Sequence, residues 1–282
     1  VKHPGKFGRR APKRAPSLRL ASFLTGVVPV HPVAADYLAE LNGGWQELGN
    51  DVAGDCVAVT WANVRRLVTT KLSSKPVYPS QTQVWQLYQT QNPKFNPAGT
   101  EDTDGPGSTE DDGMDIQTLL EYLVNNPGPD GSQAAAFAAV NPMNTDEVKA
   151  AIAIFGYIWT GIDVQNANMA QFAKNQPWNW VKGSKDAGGH SVITGGYGWS
   201  ATAPMGADER FITWATETSF TDEYWAHGVD EAWVVIWPEY FGSAEFLAGI
   251  DLAQLQTDYQ EITGEQLTVQ VTPGMIQQLA PS

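Results

Sequence analysis

Helical periodicity dominates the first 130 residues of this chain and strand-like runs dominate the next hundred, an order that segregates the two kinds of element and points to an α+β fold. A short helix is expected from Val33 to Leu41. From Cys56 to Leu72, the spacing of Val59, Trp61, Val64, Leu67 and Val68 predicts a buried amphipathic helix. Ser80 and Gln83 form a capping box for a second helix carrying Val84, Trp85, Leu87 and Tyr88. A polar loop, Gln91 to Gly113, leads to a third from Asp115 to about Asn125, stopped by Pro127-Gly128-Pro129. Strands are expected at Ala134–Val140, Tyr157–Val164, His190–Tyr197, Arg210–Glu217 and Glu231–Trp237, with a helix capped by Asn144 or Thr145 running to Phe155. A last helix, Asp251–Ile262, and an extended tail, Gln266–Val271, follow.

This organisation reads as a basic N-terminal arm (1–35), a body (36–245) with a helical part to about 130 and a β-rich part from about 131, and a C-terminal helix and tail (246–282). Seven of the 17 Lys and Arg lie in residues 1–35, which hold no acid, so the remaining chain carries ten cations against all 31 acids. An acidic body repels phosphate backbones, which makes nucleic acid an unlikely partner, and the arm is expected to lie on the acidic surface of its own body or of a neighbouring subunit. Residues 1–35 and 246–282 are the expected protein-docking segments. The one cysteine, Cys56, permits no internal disulfide. Histidines at 3, 31, 190 and 227 form no metal-ligand pattern, and no metal or cofactor is expected. The longest apolar run, Ala150–Ile162, is too short to cross a bilayer. Leu20–Val30 follows a basic stretch as a signal-peptide core would, but Gly26 and Pro29 interrupt it. A soluble protein without a signal peptide or membrane anchor is the expectation.

The chemistry-bearing stretch is Gly-Asn-Asp-Val-Ala-Gly-Asp-Cys, Gly49 to Cys56, directly before a helix. A thiol at a helix N-terminus sits among free backbone N–H groups at the positive dipole end, and both favour the thiolate. Set against this, a lone cysteine is most often a small buried apolar residue. The second signal is Gly188 to Gly198, where His190 opens a strand-like run between small residues that allow close approach. A histidine satisfied between Gly-rich turns is the competing reading.

With these two motifs in helix-then-strand order, the chain from about Gly49 to Trp237 resembles the papain-like cysteine peptidase fold. The 134-residue interval between Cys56 and His190 lies inside the roughly 130 to 150 residues usual for that family. The resemblance implies Cys56 as nucleophile, His190 as general base and Asn50, in the place of the family's glutamine, as oxyanion donor beside the Cys56 N–H. The Arg-rich leader, the Gly-Asn-Asp…Gly-Asp-Cys and Gly-Gly-His motifs and Thr213-Trp214 also resemble an uncharacterised branch of the fold from bacterial and tailed-phage genomes. The family's third residue, an asparagine before Ser-Trp-Gly, is replaced by Ile212 in Ile212-Thr213-Trp214-Ala215. Orientation of the imidazole would then fall to Thr213, a backbone carbonyl or water, leaving a Cys–His dyad shielded by Trp214. Asp51 and Asp55 beside the thiol would raise its pKa.

Two functions are consistent with these residues. One is a cysteine peptidase or amidase acting on peptide bonds, including peptidoglycan peptides. The other is a catalytically decayed papain-fold accessory protein of a phage particle or other assembly, virion-associated and docked through its terminal arms. His227 reads as a packing or surface residue. The seven acids of Glu101–Asp115 lack EF-hand spacing and read as a solvated loop. Trp178 and Trp180 are candidates for a substrate groove or, more commonly, core packing.

Overall fold

The computed structural model describes residues 5–26, 31–41, 43–198 and 207–267. His3 and positions 268–271 of the expected tail lie outside them. The strands are β1 (Ala35–Asp36), β2 (Ala136–Val140), β3 (Ile158–Gln165), β4 (Asp186–Tyr197), β5 (Ala207–Thr213), β6 (Thr216–Thr221) and β7 (Val229–Ile236). They form one antiparallel sheet in the order β2-β7-β3-β4-β5-β6, with β1 added beside β4. The helices are α1 (Cys56–Leu72), α2 (Gln81–Tyr88), α3 (Ile116–Asn125), α4 (Thr145–Phe155), α5 (Asn166–Phe172), α6 (Asp222–Gly228), α7 (Ala244–Gly249) and α8 (Leu252–Thr263). The architecture is the expected α+β one.

Helix α1 is the axis of the molecule. Cys56 through Val64 are buried without a break, so the helix is enclosed on all sides over its first turns rather than presenting one apolar stripe. Its flank against β4 is fixed by a polar chain. Trp159 Nε1 donates to Ser191 Oγ at 2.8 Å, Ser191 Oγ donates to Thr60 Oγ1 at 3.0 Å, and Thr60 donates to the Cys56 carbonyl at 2.9 Å. Four tryptophans, Trp61, Trp159, Trp178 and Trp237, are fully buried around this axis. Arg65, on the same helix, bonds Asp130 at 3.0 Å and Glu239 at 2.8 Å, with its guanidinium 4.4 Å from the Trp237 ring centre.

Caps explain where the other helices begin. The Ser80–Gln83 box opens α2, while Asp115, Asn144 and Asp251 cap α3, α4 and α8 through side-chain oxygens that accept backbone N–H groups. Three expectations need correction. Val33–Leu41 is not a helix. It contributes the two-residue β1 and a 3-10 turn, Ala39–Leu41, because pairing with Gly196 and Tyr197 of β4 satisfies its backbone instead. The strand expected over Arg210–Glu217 is split into β5 and β6 by a hairpin whose two turn residues, Trp214 and Ala215, both have positive φ (42° and 58°). That geometry matches the twist of the flanking strands but is uncommon without Gly or Asn, so no turn signal marked it. Helices α5 and α6, each seven residues long, were not anticipated.

The arm packs on its own body. Arg9 bridges to Met114 and Arg19 to Ala139, while Leu24 pairs with Ile250. Arg10 reaches Asp112, and Arg14 pairs with Glu121 on α3. Among the described residues, no helix is long and apolar enough to cross a membrane.

Candidate active site

Cys56 is the first residue of α1 and is 1% exposed; His190 lies near the start of β4 and is equally buried. Both face one cavity of about 10 Å³, walled also by Asn50, Thr213 and Trp214. That volume holds about one water molecule. The two strands flanking the imidazole are β3 and β5, which pair Ile162 with His190 and Ile212 with Ile193.

The imidazole is fixed on three sides. Its Nε2 bonds Thr213 Oγ1 at 2.8 Å. Trp214 stacks on one face with ring centres 4.8 Å apart and 25° between planes, and Phe7 meets the ring edge-on at 5.9 Å. The positive-φ hairpin at Trp214–Ala215 is what turns Thr213 and Trp214 toward the histidine, so a sparsely populated backbone conformation is kept at the site. Nδ1 is buried with no hydrogen-bond partner. The Thr213 hydroxyl can accept from Nε2–H, and in that tautomer the unpartnered Nδ1 carries the free lone pair.

Asn50 precedes the helix in the turn Gly49–Asp51, and its side-chain amide donates to the Ala53 carbonyl at 3.0 Å and to the Lys6 carbonyl at 3.2 Å. Asp55, the N-cap residue, is fully buried and takes a 3.0 Å bond from Trp85 Nε1. Burial holds its carboxyl well above the usual carboxylate range, with the Trp85 bond pulling the other way. Asp51 is exposed at the surface.

Residues 5–10 run directly across this constellation. Lys6 N–H donates to the Asn50 carbonyl at 2.7 Å, Gly8 and Arg9 N–H both donate to the Gly189 carbonyl (3.2 and 3.1 Å), Met114 N–H donates to the Gly8 carbonyl at 2.6 Å, and Arg10 N–H to Met114 at 2.8 Å. The segment is therefore held on both walls, one from α1's approach and one from β4. The fit is tight enough to require glycine. A Cβ on Gly8 would lie 1.7 Å from the Gly54 carbonyl oxygen, and one on Gly113 would lie 2.1 Å from the Gly8 carbonyl oxygen.

Covering the site changes its protonation. Burial pushes the Cys56 thiol up to about 12, aided by Asp55, while backbone hydrogen bonds from Ser191 and Gly8 and the Arg9 charge act in the opposite direction. Burial lowers His190 to about 3, and the Arg9 charge lowers it further. At neutral pH the pair is thiol and neutral imidazole. The three candidate residues, Cys56, His190 and Asn50, thus border one small space, sealed by a segment of the same chain.

The other sequence candidates lie elsewhere. His227 lies in the last turn of α6, half-exposed and stacked on Trp180 at 5.6 Å. Trp178 is buried against Phe211, Phe220, Trp214 and Tyr224 and forms core behind the site. The acidic loop is partly structural, since Asp111 Oδ1 accepts from Gly54 N–H at 2.8 Å and Tyr88 Oη at 2.6 Å. Sequence reasoning missed Arg9 and the acids around it, Asp163, Asp230 and Glu231. The available signal was the presence of acids inside two apolar strand runs, Ile158–Gln165 and Val229–Ile236.

No protein-family model matches the chain, and no curated protein matches it by sequence. Solved structures do. Xylellain, a cysteine protease from Xylella fastidiosa, superposes with a TM-score of 0.56 at 15% identity, covering 84% of this chain and 97% of that one. Procathepsin B from Trypanosoma congolense gives 0.55 at 12% identity over 82% and 86%. The fold is papain-like.

Proposed function

We propose that this protein is a papain-fold cysteine peptidase or amidase, kept latent by its own residues 5–10. The observation that carries the reading is the junction of three features at one closed cavity: a thiol at a helix N-terminus, an unpartnered imidazole Nδ1 and an asparagine amide already occupied by a peptide carbonyl. The two similar structures named above are a cysteine protease and a proenzyme of one.

In the proposed reaction, displacement of residues 5–10 lets water reach the cavity, and Nδ1 of His190 accepts the Cys56 proton. The thiolate attacks the amide carbonyl carbon, forming a C–S bond and an oxyanion, and Asn50 Nδ2 donates to that oxyanion where it now donates to Lys6. The imidazolium then gives its proton to the leaving amine as the C–N bond breaks, and water hydrolyses the thioester. Thr213 fills the orienting role by accepting from Nε2–H. A hydroxyl accepts that bond without carrying charge, so it fixes the ring but stabilises the imidazolium less than a carboxylate would.

The test uses a full chain carrying a specific-protease site within the exposed stretch 11–15, cut so that the segment before it can dissociate. Fluorogenic peptide amides should be hydrolysed only after the cut, and not by Cys56→Ser or His190→Ala. Absence of both turnover and a thioester adduct in the cut chain would defeat the proposal.

A further inference from the structure

The Arg9 side chain is 1% exposed, although it lies just before the exposed stretch 11–15 of the N-terminal arm. Its Nη1 donates to Asp230 Oδ2 and Glu231 Oε1, both at 2.9 Å. Its Nη2 donates to Asp163 Oδ1 at 2.7 Å and to the Ile162 carbonyl at 3.3 Å. Three carboxylates surround one guanidinium, which is more negative charge than this cation neutralises. Two of these acidic residues are also tied to the body. Trp233 Nε1 donates to Glu231 Oε2 at 2.8 Å, and Tyr224 Oη donates to the Asp163 carbonyl at 2.7 Å. The Glu231 carboxylate and the Asp163 backbone are therefore held by body residues as well as facing Arg9. Asp163 and Asp230 are 54% and 35% exposed, so the mouth of the pocket opens to solvent.

Its position relates it to the chemistry. Ile162 pairs across the sheet with His190 and also with Val229, which places Asp163 on the strand next to the imidazole and Asp230–Glu231 on the strand beyond it. Along the bound segment, Gly8 lies at the thiol and the very next residue fills the pocket. Gly161 clears the way for the arginine stem, since a Cβ there would meet Glu231 and lie 2.9 Å from Arg9 Cδ. A planar fork engaging acceptors from both nitrogens suits arginine better than the point charge of lysine.

We propose that Asp163, Asp230 and Glu231 form a recognition pocket for an arginine side chain of a peptide bound in the cleft, and that Arg9 is its intramolecular occupant. The identification of that peptide as a substrate rests on the peptidase reading; the binding preference does not. An arginine within a residue of the scissile bond is then the specificity determinant. Replacing it by an uncharged side chain leaves the buried Glu231 carboxylate without its cationic partner, the costly arrangement at the inner end of the pocket.

Two hosts test this. One is the cut chain described above, with every pocket residue native; the other is full-length Arg9→Gln. The probe is a fluorescent peptide of residues 4–12, compared with peptides carrying citrulline, lysine or glutamate at position 9. The arginine peptide should bind about tenfold or more tightly than the citrulline peptide, and Asp230→Asn with Glu231→Gln in the host should erase that difference. Equal binding of arginine and citrulline peptides in the cut chain overturns the pocket, whether or not Arg9→Gln folds. A hydrolysis panel with arginine walked across both sides of the bond separates the two readings. Turnover without arginine preference overturns the pocket and leaves the peptidase. Arginine-dependent binding without turnover supports the pocket and counts against the peptidase.

Discussion

Releasing residues 5–10 should transform the reactivity of Cys56, and the size of the change follows from its present state. With the thiol at about 12, the thiolate fraction at pH 7.5 is roughly 3 × 10⁻⁵. An ordinary exposed cysteine, near 8.5, is about one-tenth ionised at that pH, so simple solvation raises the reactive fraction by roughly 3,000-fold. His190 moves the other way. Its neutral form is favoured by burial and by Arg9, both of which leave with the segment, so the imidazole returns toward its usual range and can hold the thiol proton. The combined result is a thiolate–imidazolium pair whose alkylation continues below pH 6, where a free thiol is silent. The chain has one cysteine, so iodoacetamide adduct measured by mass spectrometry reports this site alone. The cut and uncut chains are followed from pH 5 to 9 beside His190→Ala. Equal rates in cut and uncut protein would show that the segment does not govern the thiol. A cut-chain rate that rises along a free-thiol titration curve and ignores His190→Ala would show that no ion pair forms.

Three further outcomes follow from the same geometry. Gly8→Ala, with its new Cβ 1.7 Å from the Gly54 carbonyl oxygen, should unseat the segment in the full-length chain and give the alkylation rate of the cut protein with an unchanged circular dichroism spectrum. Thr213→Val removes the acceptor for Nε2–H of a buried ring, which should cost about 1–3 kcal/mol of stability in denaturant titration and lower turnover of the released enzyme, while Thr213→Ser restores most of both. Glu209, buried beside Asp208 and Asp222, is raised by that burial to about 8 from 4.5, with Lys149 opposing. The folded chain thus keeps a proton that the unfolded chain loses, and stability should fall as pH rises from about 4.5 to 8, by on the order of 5 kcal/mol from this group. Glu209→Gln should flatten that slope in urea titrations across the interval.

The helical half of the fold was legible because its signals are local. Capping residues such as Ser80, Asp115 and Asn144 act within three residues, and the apolar run of α1 buries itself whatever it packs against. Trp214 was legible as the shield of His190 through the family pattern and Thr213 as one of three alternatives for its orienting partner, although the hairpin that aims them was not, since Trp-Ala carries no turn signal. Short α5 and α6 lack enough turns to display a period. The charge asymmetry of the chain was plain, but its meaning was not. Which acids meet Arg9 depends on contacts spanning 154 to 222 residues, and no local rule connects them.

That asymmetry now has a graded physical meaning. Arg10 and Arg14 pair with partly exposed Asp112 and Glu121, so their contributions are small and screened by salt. Arg9 itself is enclosed, and of its three partners Glu231 is buried while Asp163 and Asp230 reach solvent, so it is the Glu231 pairing that salt screens least. Raising salt should loosen residues 10–14 more than 5–9, so the latency proposed above would depend on the glycine contacts and the Arg9–Glu231 pair more than on the overall attraction between a basic arm and an acidic body. A competing arginine-bearing peptide meets both requirements at once, because it supplies the guanidinium and needs only a small residue beside it to pass between Gly54 and Gly113. On the proposed reading, the segment that covers the cleft would be displaced selectively by peptides of that kind.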